Sequence, residues 1–316
     1  MAKSFLGFAV FVSILANLIA LKKAFGFYKT YRVDYKPLLE TPSDFRELIH
    51  SQKEAMLGDL SRSRLERHIE IIEKTLQKHP KWVDGLWILA CETFQLGSSY
   101  TKEEEQPFGR EILLKGQKAT EACLSLDPEN PICKFFLASA MAKIGTIDGV
   151  LASISAAERV KDLWQDVTKS PYNIQFTPAI SMQGAVRYAL GIFYRLVPDY
   201  VALEWMYGVK GDLEKSVSFH QKSLAIDDPR LPCSNLMLGA ALLCLSETQM
   251  DDGMEEQGEK TRADGLSYLE IAQKSEGSFS VNSAMCKKDA LMLMQRPQDA
   301  CSYSMAGQQE ESPSLD

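Results

Sequence analysis

Apolar residues recur along most of this chain at the three- and four-residue steps of an amphipathic helix, and prolines cut the pattern at near-even intervals. Ile69, Ile72 and Leu76 precede one cut. Leu113, Ala119, Ala122 and Leu126 precede the next, and Leu213, Val217 and Leu224 a later one. The cuts are Pro80 in "LQKHPKW", Pro128 in "LSLDPEN" and Pro229 in "LAIDDPRL", which lie 48 and 101 residues apart. The second interval is about twice the first, so a further mark is expected near residue 178, and Pro178 in "NIQFTPAIS" supplies it. Proline lacks an amide donor and clashes with the preceding turn, so each cut marks a corner before a new helix.

A second register supports the first. Leu89-Ala90, Leu137-Ala138 and Leu238-Gly239 each fall 9 and 10 residues beyond their prolines, while Leu190-Gly191 falls 12 and 13 beyond Pro178 and marks the irregular unit. A small residue beside a leucine lets a second helix approach closely while the leucine fills the groove. A weaker fifth unit follows, with "ADGLSYLEIAQKS" closing it and "SVNSAMCKKDALMLM" opening the next helix. The expected fold is all-α, a superhelical solenoid of tetratricopeptide-like helix pairs over residues 43–296. Its period near 50 exceeds the usual 34, which places extra residues in the second helices or the loops. "YNIQF" at 172–176 is the one β-like run and is expected to be an extended linker. The stretches 96–110 and 251–262 read as acidic connectors, with Glu103, Glu104 and Glu105 at a helix N-terminus where negative charge is favoured.

Residues 189–212, "ALGIFYRLVPDYVALEWMYGVKGD", interrupt the repeat and concentrate its aromatic side chains. Phe193, Tyr194, Arg195, Tyr200, Trp205 and Tyr207 are the candidate site. Either the rings line an apolar ligand cleft on the concave face, or they plug the groove between two helix pairs. Arg195 and Asp199 stand where they could orient a polar ligand end or pair with each other.

Composition adds exclusions. The net charge of -7 and pI near 5.3 argue against nucleic-acid binding, which draws on basic residues to neutralise phosphates. The seven cysteines include no C-x-x-C pair and lie in apolar patterns, so they are expected to be small core hydrophobes rather than disulfides or metal ligands. H-E-x-x-H, G-x-S-x-G, the phosphate-binding loop and G-x-G-x-x-G are all missing from the sequence. His68 and His79 are eleven apart, and His220 reads as a surface histidine. The expectation is therefore no catalytic residue, no metal, no cofactor and no enzyme.

Residues 4–21 carry no charge and approach the minimum length for a bilayer crossing. Residues 1–23 are expected to be a transmembrane anchor or an uncleaved signal, 24–42 a linker and 297–316 a disordered polar tail. Lys22, Lys23, Lys29, Arg32 and Lys36 follow the apolar run and favour a cytoplasmic body, as do unpaired cysteines.

"GQKATEACLSLDPENPICKFFLASAMAKIG", "VRYALGIFYRLVPDY", "GDLEKSVSFHQKSLAID" and "SNLMLGAALL", in that order, resemble the helical-repeat T-component proteins of TRAP-type transporters. The similarity spans roughly residues 110–245. It implies an exported, membrane-tethered superhelix that partners a substrate-binding subunit for small organic ligands, and it admits a homo-oligomer. The lipid-bearing cysteine of that family is missing here. The same motif order is similar to the regulator-of-microtubule-dynamics proteins, which implies an N-terminal anchor and a cytosolic repeat domain. The expected function is a membrane-anchored, protein-binding scaffold, with an apolar-ligand-binding component of solute uptake or a cytosol-facing organiser as alternatives.

Overall fold

The computed structural model describes residues 28–55, 61–276 and 282–304. The anchor expected within 1–23 lies outside them, and among the described residues no helix is long and apolar enough to cross a membrane. These residues form thirteen α-helices. Two lead in, α1 (Lys36–Leu39) and α2 (Pro42–Ala55), and α3 (Arg62–Lys78) then packs on the first repeat. The pairs are α4 (Val83–Ser98) with α5 (Gln106–Leu126), α6 (Pro131–Asp148) with α7 (Val150–Lys169), α8 (Met182–Leu196) with α10 (Leu213–Ile226), and α11 (Pro232–Asp251) with α12 (Glu255–Lys274). The short α9 (Val201–Tyr207) sits inside the third pair, and α13 (Ser283–Gln295) closes the array against α11 and α12.

All four prolines occupy the same corner. Pro80, Pro128 and Pro229 stand three residues before α4, α6 and α11, and Pro178 stands four before α8. Two of the four corners are closed by side-chain caps. Asn130 accepts the amides of Ile132 and Cys133, with Pro131 at the first helical position, and Ser181 accepts from Gly184 at the start of α8. The extra length of the repeat lies in the helices, since α5 has 21 residues and α7 and α12 have 20 each. The acidic stretches shrink to short links, and Glu103–Glu105 form a 3₁₀ turn that leads into α5, with Glu105 paired to Arg62 at 2.9 Å.

Burial separates the helices into two kinds. α4, α6 and α11 are buried around most of their circumference, whereas α5, α7, α10 and α12 each bury one narrow stripe. On α5 that stripe runs through Leu113, Gly116, Ala119, Thr120 and Cys123; Ala122 and Leu126, expected on the buried face, point to water. The pairs approach closely because small residues meet at the crossings. A methyl group at Gly116 would run into Thr93 near Ala90. One at Gly239 would lie 3.0 Å from the Gly265 carbonyl oxygen and 2.7 Å from Leu269. In the third pair Gly191 faces the His220 ring, and Ser216 and Ser223 donate to the carbonyls of Gly191 and Gly184 at 2.7 and 2.9 Å.

The chain also folds back over its inner helices. Lys29–Thr30 (β1) pair in parallel with Tyr172–Asn173 (β2), so the stretch expected to be a plain extended linker supplies a short ladder. Tyr31 donates to buried Asp84 at 2.8 Å, Trp82 donates to the Asp34 carbonyl at 2.7 Å, and Leu38 is fully buried. The segment read as a linker is thus fastened to the connector after α7 through residues 29–30 and to the first repeat through Tyr31 and Asp34. Phe176 packs on Phe135 and Phe136 with centroids 5.5 and 5.6 Å away.

Two expectations are corrected. Six of the seven cysteines are paired, as Cys123–Cys133, Cys233–Cys286 and Cys244–Cys301, and Cys91 alone is free. The apolar helix faces that suggested core cysteines are where neighbouring helices bring two sulfurs together, and partners 53 and 57 residues apart leave no spacing signal. The leaning towards a cytoplasmic body from unpaired thiols therefore loses its premise. The disorder expected from residue 297 does not begin there, because Ala300 and Tyr303 are buried and Cys301 is bonded to α11.

Gly191→Val places a branched side chain against the His220 ring, where even a Cβ would lie 2.5 Å from Nε2. The expected loss is about 1–3 kcal/mol of unfolding free energy, read from urea denaturation. An unchanged midpoint would show that the third crossing is not close-packed.

Candidate functional site

The six candidate residues divide between α8 and the excursion that follows it. On α8, whose cap at Ser181 fixes its start, Phe193 is half-buried and Tyr194 is 7% exposed. Tyr194 stacks on Phe219 of α10 with centroids 5.7 Å apart and planes 4° from parallel, and its hydroxyl accepts from Gln165 of α7 at 2.9 Å. Phe193 meets Tyr194 edge-on at 5.6 Å. These two rings therefore join α7, α8 and α10. Tyr200, Trp205 and Tyr207 are 66%, 87% and 38% exposed, so the same sequence run places them in water.

Arg195 does neither of the things the sequence suggested. Only 5% exposed, it donates to the carbonyl oxygens of Ala300 at 2.7 Å, Cys301 at 3.2 Å and Tyr303 at 2.7 Å. Asp199 pairs with Lys210 instead, at 3.1 Å. A guanidinium presents several donors in a fixed fork, which suits a turn whose carbonyls converge. Burial lowers the Arg195 pKa to about 10, so the charge persists at neutral pH. Tyr303 in turn donates to buried Asp289 of α13 at 2.7 Å. The clamp was illegible in sequence because its acceptors are main-chain atoms more than a hundred positions away.

Several other polar side chains are buried without a sequence signal. His220, expected at the surface, is fully buried, and burial with the nearby Arg195 charge lowers its pKa to about 3. His68 and Glu92 face each other at 3.4 Å, 2% and 5% exposed. Gln183 donates to the carbonyls of Val167 and Tyr172 at 2.9 and 3.0 Å and fixes the crossing into α8. Asp227 accepts from the Ser181 amide and hydroxyl at 2.9 and 2.7 Å, yet burial still raises its carboxyl pKa to about 6.

Arg195, Gln183 and Asp227 are engaged with other parts of the fold, whereas both ring nitrogens of His220 are buried without a hydrogen bond among the described residues. Among the described residues no three His, Cys, Asp or Glu side chains gather as a metal ion would require. The open space lies elsewhere. A depression of about 560 Å³ lies between residues 34–37 and the first proline corner where the two meet, lined by Asp34, Pro37, His79, Lys81, Trp82 and Val83 among others. Asp84, also in its lining, accepts from Tyr31, the Asp34 amide and Trp87 at 2.8, 2.5 and 2.7 Å.

Arg195→Met removes the donors of three carbonyls, each of which costs about 1–3 kcal/mol when left buried and unpaired. The expected result is a loss of about 3–5 kcal/mol of stability with early proteolysis after residue 296, measured by denaturation and peptide mapping. Asp227 gives a pH signature. Its folded pKa lies above the ordinary 3.8, so its contribution is present below that value and is lost as pH rises through about 6. His220 acts in the opposite sense, its contribution being present above 6.5 and lost as pH falls towards 3. Asp227→Asn should therefore gain stability relative to the natural chain between pH 4 and 7, and parallel pH profiles would refute that cause.

No protein-family model matches the chain, and comparison with curated proteins yields no match.

Proposed function

We propose that this chain is a membrane-anchored helical-repeat scaffold whose stacked pairs form a curved, solenoid-like array and hold another polypeptide. The observation that carries this is the repetition itself. Four helix pairs turn at equivalent prolines, at least three of them cross at small residues, and each pair adds a unit to a shared surface. The partner in this reading is a protein rather than an apolar small molecule, because Phe193 and Tyr194 are engaged with each other and with Phe219. The depression bounded by Pro37, His79, Lys81 and Val83 is the place offered to it. No catalytic step is assigned.

Residues 4–21 hold the chain to the bilayer in this reading. The lysines after them favour a cytoplasmic body, whereas three disulfides and the resemblance to transporter T-components favour an exported one. Under the exported reading, the polypeptide held is a substrate-binding subunit of solute uptake.

A photo-cross-linking residue at Lys81, in the full chain in its native membranes, should give one discrete adduct with a second polypeptide. The same residue at Lys118, exposed on α5, should give none. Equal adducts at both positions, or none at Lys81, would remove the scaffold reading, and the adduct's identity would distinguish a solute-binding subunit from a cytosolic partner.

A further inference from the structure

The helix α9 has no buried residue, although its sequence is mostly apolar. Tyr200, Val201, Trp205 and Met206 are 66%, 72%, 87% and 55% exposed, while the other three tryptophans, Trp82, Trp87 and Trp164, are each at most 6% exposed. A tryptophan held in water forgoes the stabilisation the other three obtain by burial, so this placement asks for a cover.

The excursion that carries α9 is braced. At its base the Gly211 amide donates to the Pro198 carbonyl at 3.2 Å and the Asp212 amide to the Tyr194 carbonyl at 2.9 Å. Lys210 pairs with Asp199 across the same neck at 3.1 Å. Gly208, in the left-handed region at φ 64°, ends the helix, and Lys161 of α7 donates to its carbonyl at 2.5 Å. A segment whose ends are pinned together and whose helix is anchored from below holds Trp205 outward as a fixed feature.

We infer that α9 is a second membrane contact, with Tyr200, Val201, Trp205 and Met206 seated at the headgroup level of the bilayer that receives residues 4–21. This rests on the reading of those residues as a membrane segment. The chemistry fits, because tryptophan and tyrosine have apolar bodies with polar tips and concentrate at membrane interfaces. The reach fits as well. Only residues 22–27 separate the apolar run from Tyr28, so the two are at most about 25 Å apart even when fully extended. Tyr28 accepts from Arg187 at 2.9 Å, and the Lys29 amide donates to Pro171 at 2.7 Å, just beyond the end of α7. α9 rests on the same helix at Lys161, eight residues before its end, or about 12 Å along it. Glu204 stands on α9 beside the apolar face and gives it no attraction to anionic lipid, so a zwitterionic surface suffices.

Trp205 is its own reporter. The full chain is reconstituted into phosphatidylcholine vesicles and floated, and its tryptophan emission is challenged with aqueous iodide and with brominated lipid, beside the Trp205→Phe chain. The expected result is loss to brominated lipid of most of the emission that Trp205→Phe lacks, with little loss to iodide. Vesicles that float with chain while iodide alone quenches Trp205 overturn the inference and leave the anchor intact. Shielding from both quenchers, with a dimer on cross-linking, overturns it in favour of a second copy over α9. A chain that fails to float overturns the anchor reading and this inference together.

Discussion

Closeness of approach between paired helices is the constraint from which the rest of this fold follows. Where Gly239 meets Gly265, and where Gly97 and Gly109 face each other, a Cβ on any of the four would come within about 3 Å of the facing glycine's main-chain carbonyl, with Leu269 and Leu113 filling the space beside Gly239 and Gly97. At that separation a single stripe on the outer helix suffices for contact, and the inner helix is left to be surrounded by its other neighbours. The third pair adds a polar seal, since the hydroxyls of Ser216 and Ser223 reach the carbonyls of Gly191 and Gly184 only because no side chain stands between.

Much of this was legible because the signals are local and steric. Proline can stand at only a few positions relative to a helix, so four prolines at near-even spacing had to mark equivalent places. A leucine beside alanine or glycine at a fixed distance had to mark a crossing. The misreadings occurred where the deciding partner is distant or the stripe is polar. His220 looked like a surface residue because two of the three other residues on its buried stripe, Ser216 and Ser223, carry no hydrophobic signal, and Val217 alone does. The aromatic run was visible as unusual, but its periodicity breaks at Pro198, and with it the means of deciding that Tyr194 faces inward and Trp205 outward. The partners of Arg195 are carbonyls, which every residue carries.

The inner helices meet the chain's own connecting segments over much of their surface. Phe176 covers Phe135 and Phe136, and Tyr31, edge-on to Trp87, covers the start of the first repeat. The connector after α7 and the segment leading into the domain meet in the short parallel ladder, so residues far apart in sequence are fastened over the same stretch of helices. Under the scaffold reading proposed above, a partner would meet rims and depressions rather than a bare trough, and the space lined in part by Asp84 is one of them.

The arrangement at the carboxyl side has a mechanical meaning. Repeat arrays fray at their termini, because the outermost unit leans on a single neighbour. Here Cys233 and Cys244, three helical turns apart on α11, are each bonded to the segment beyond α12, while Arg195 reaches in from the preceding pair to grip the same turn. That end is riveted at two points and latched at a third, so opening it has covalent bonds to strain against, whereas α2 and α3 carry no disulfide among the described residues.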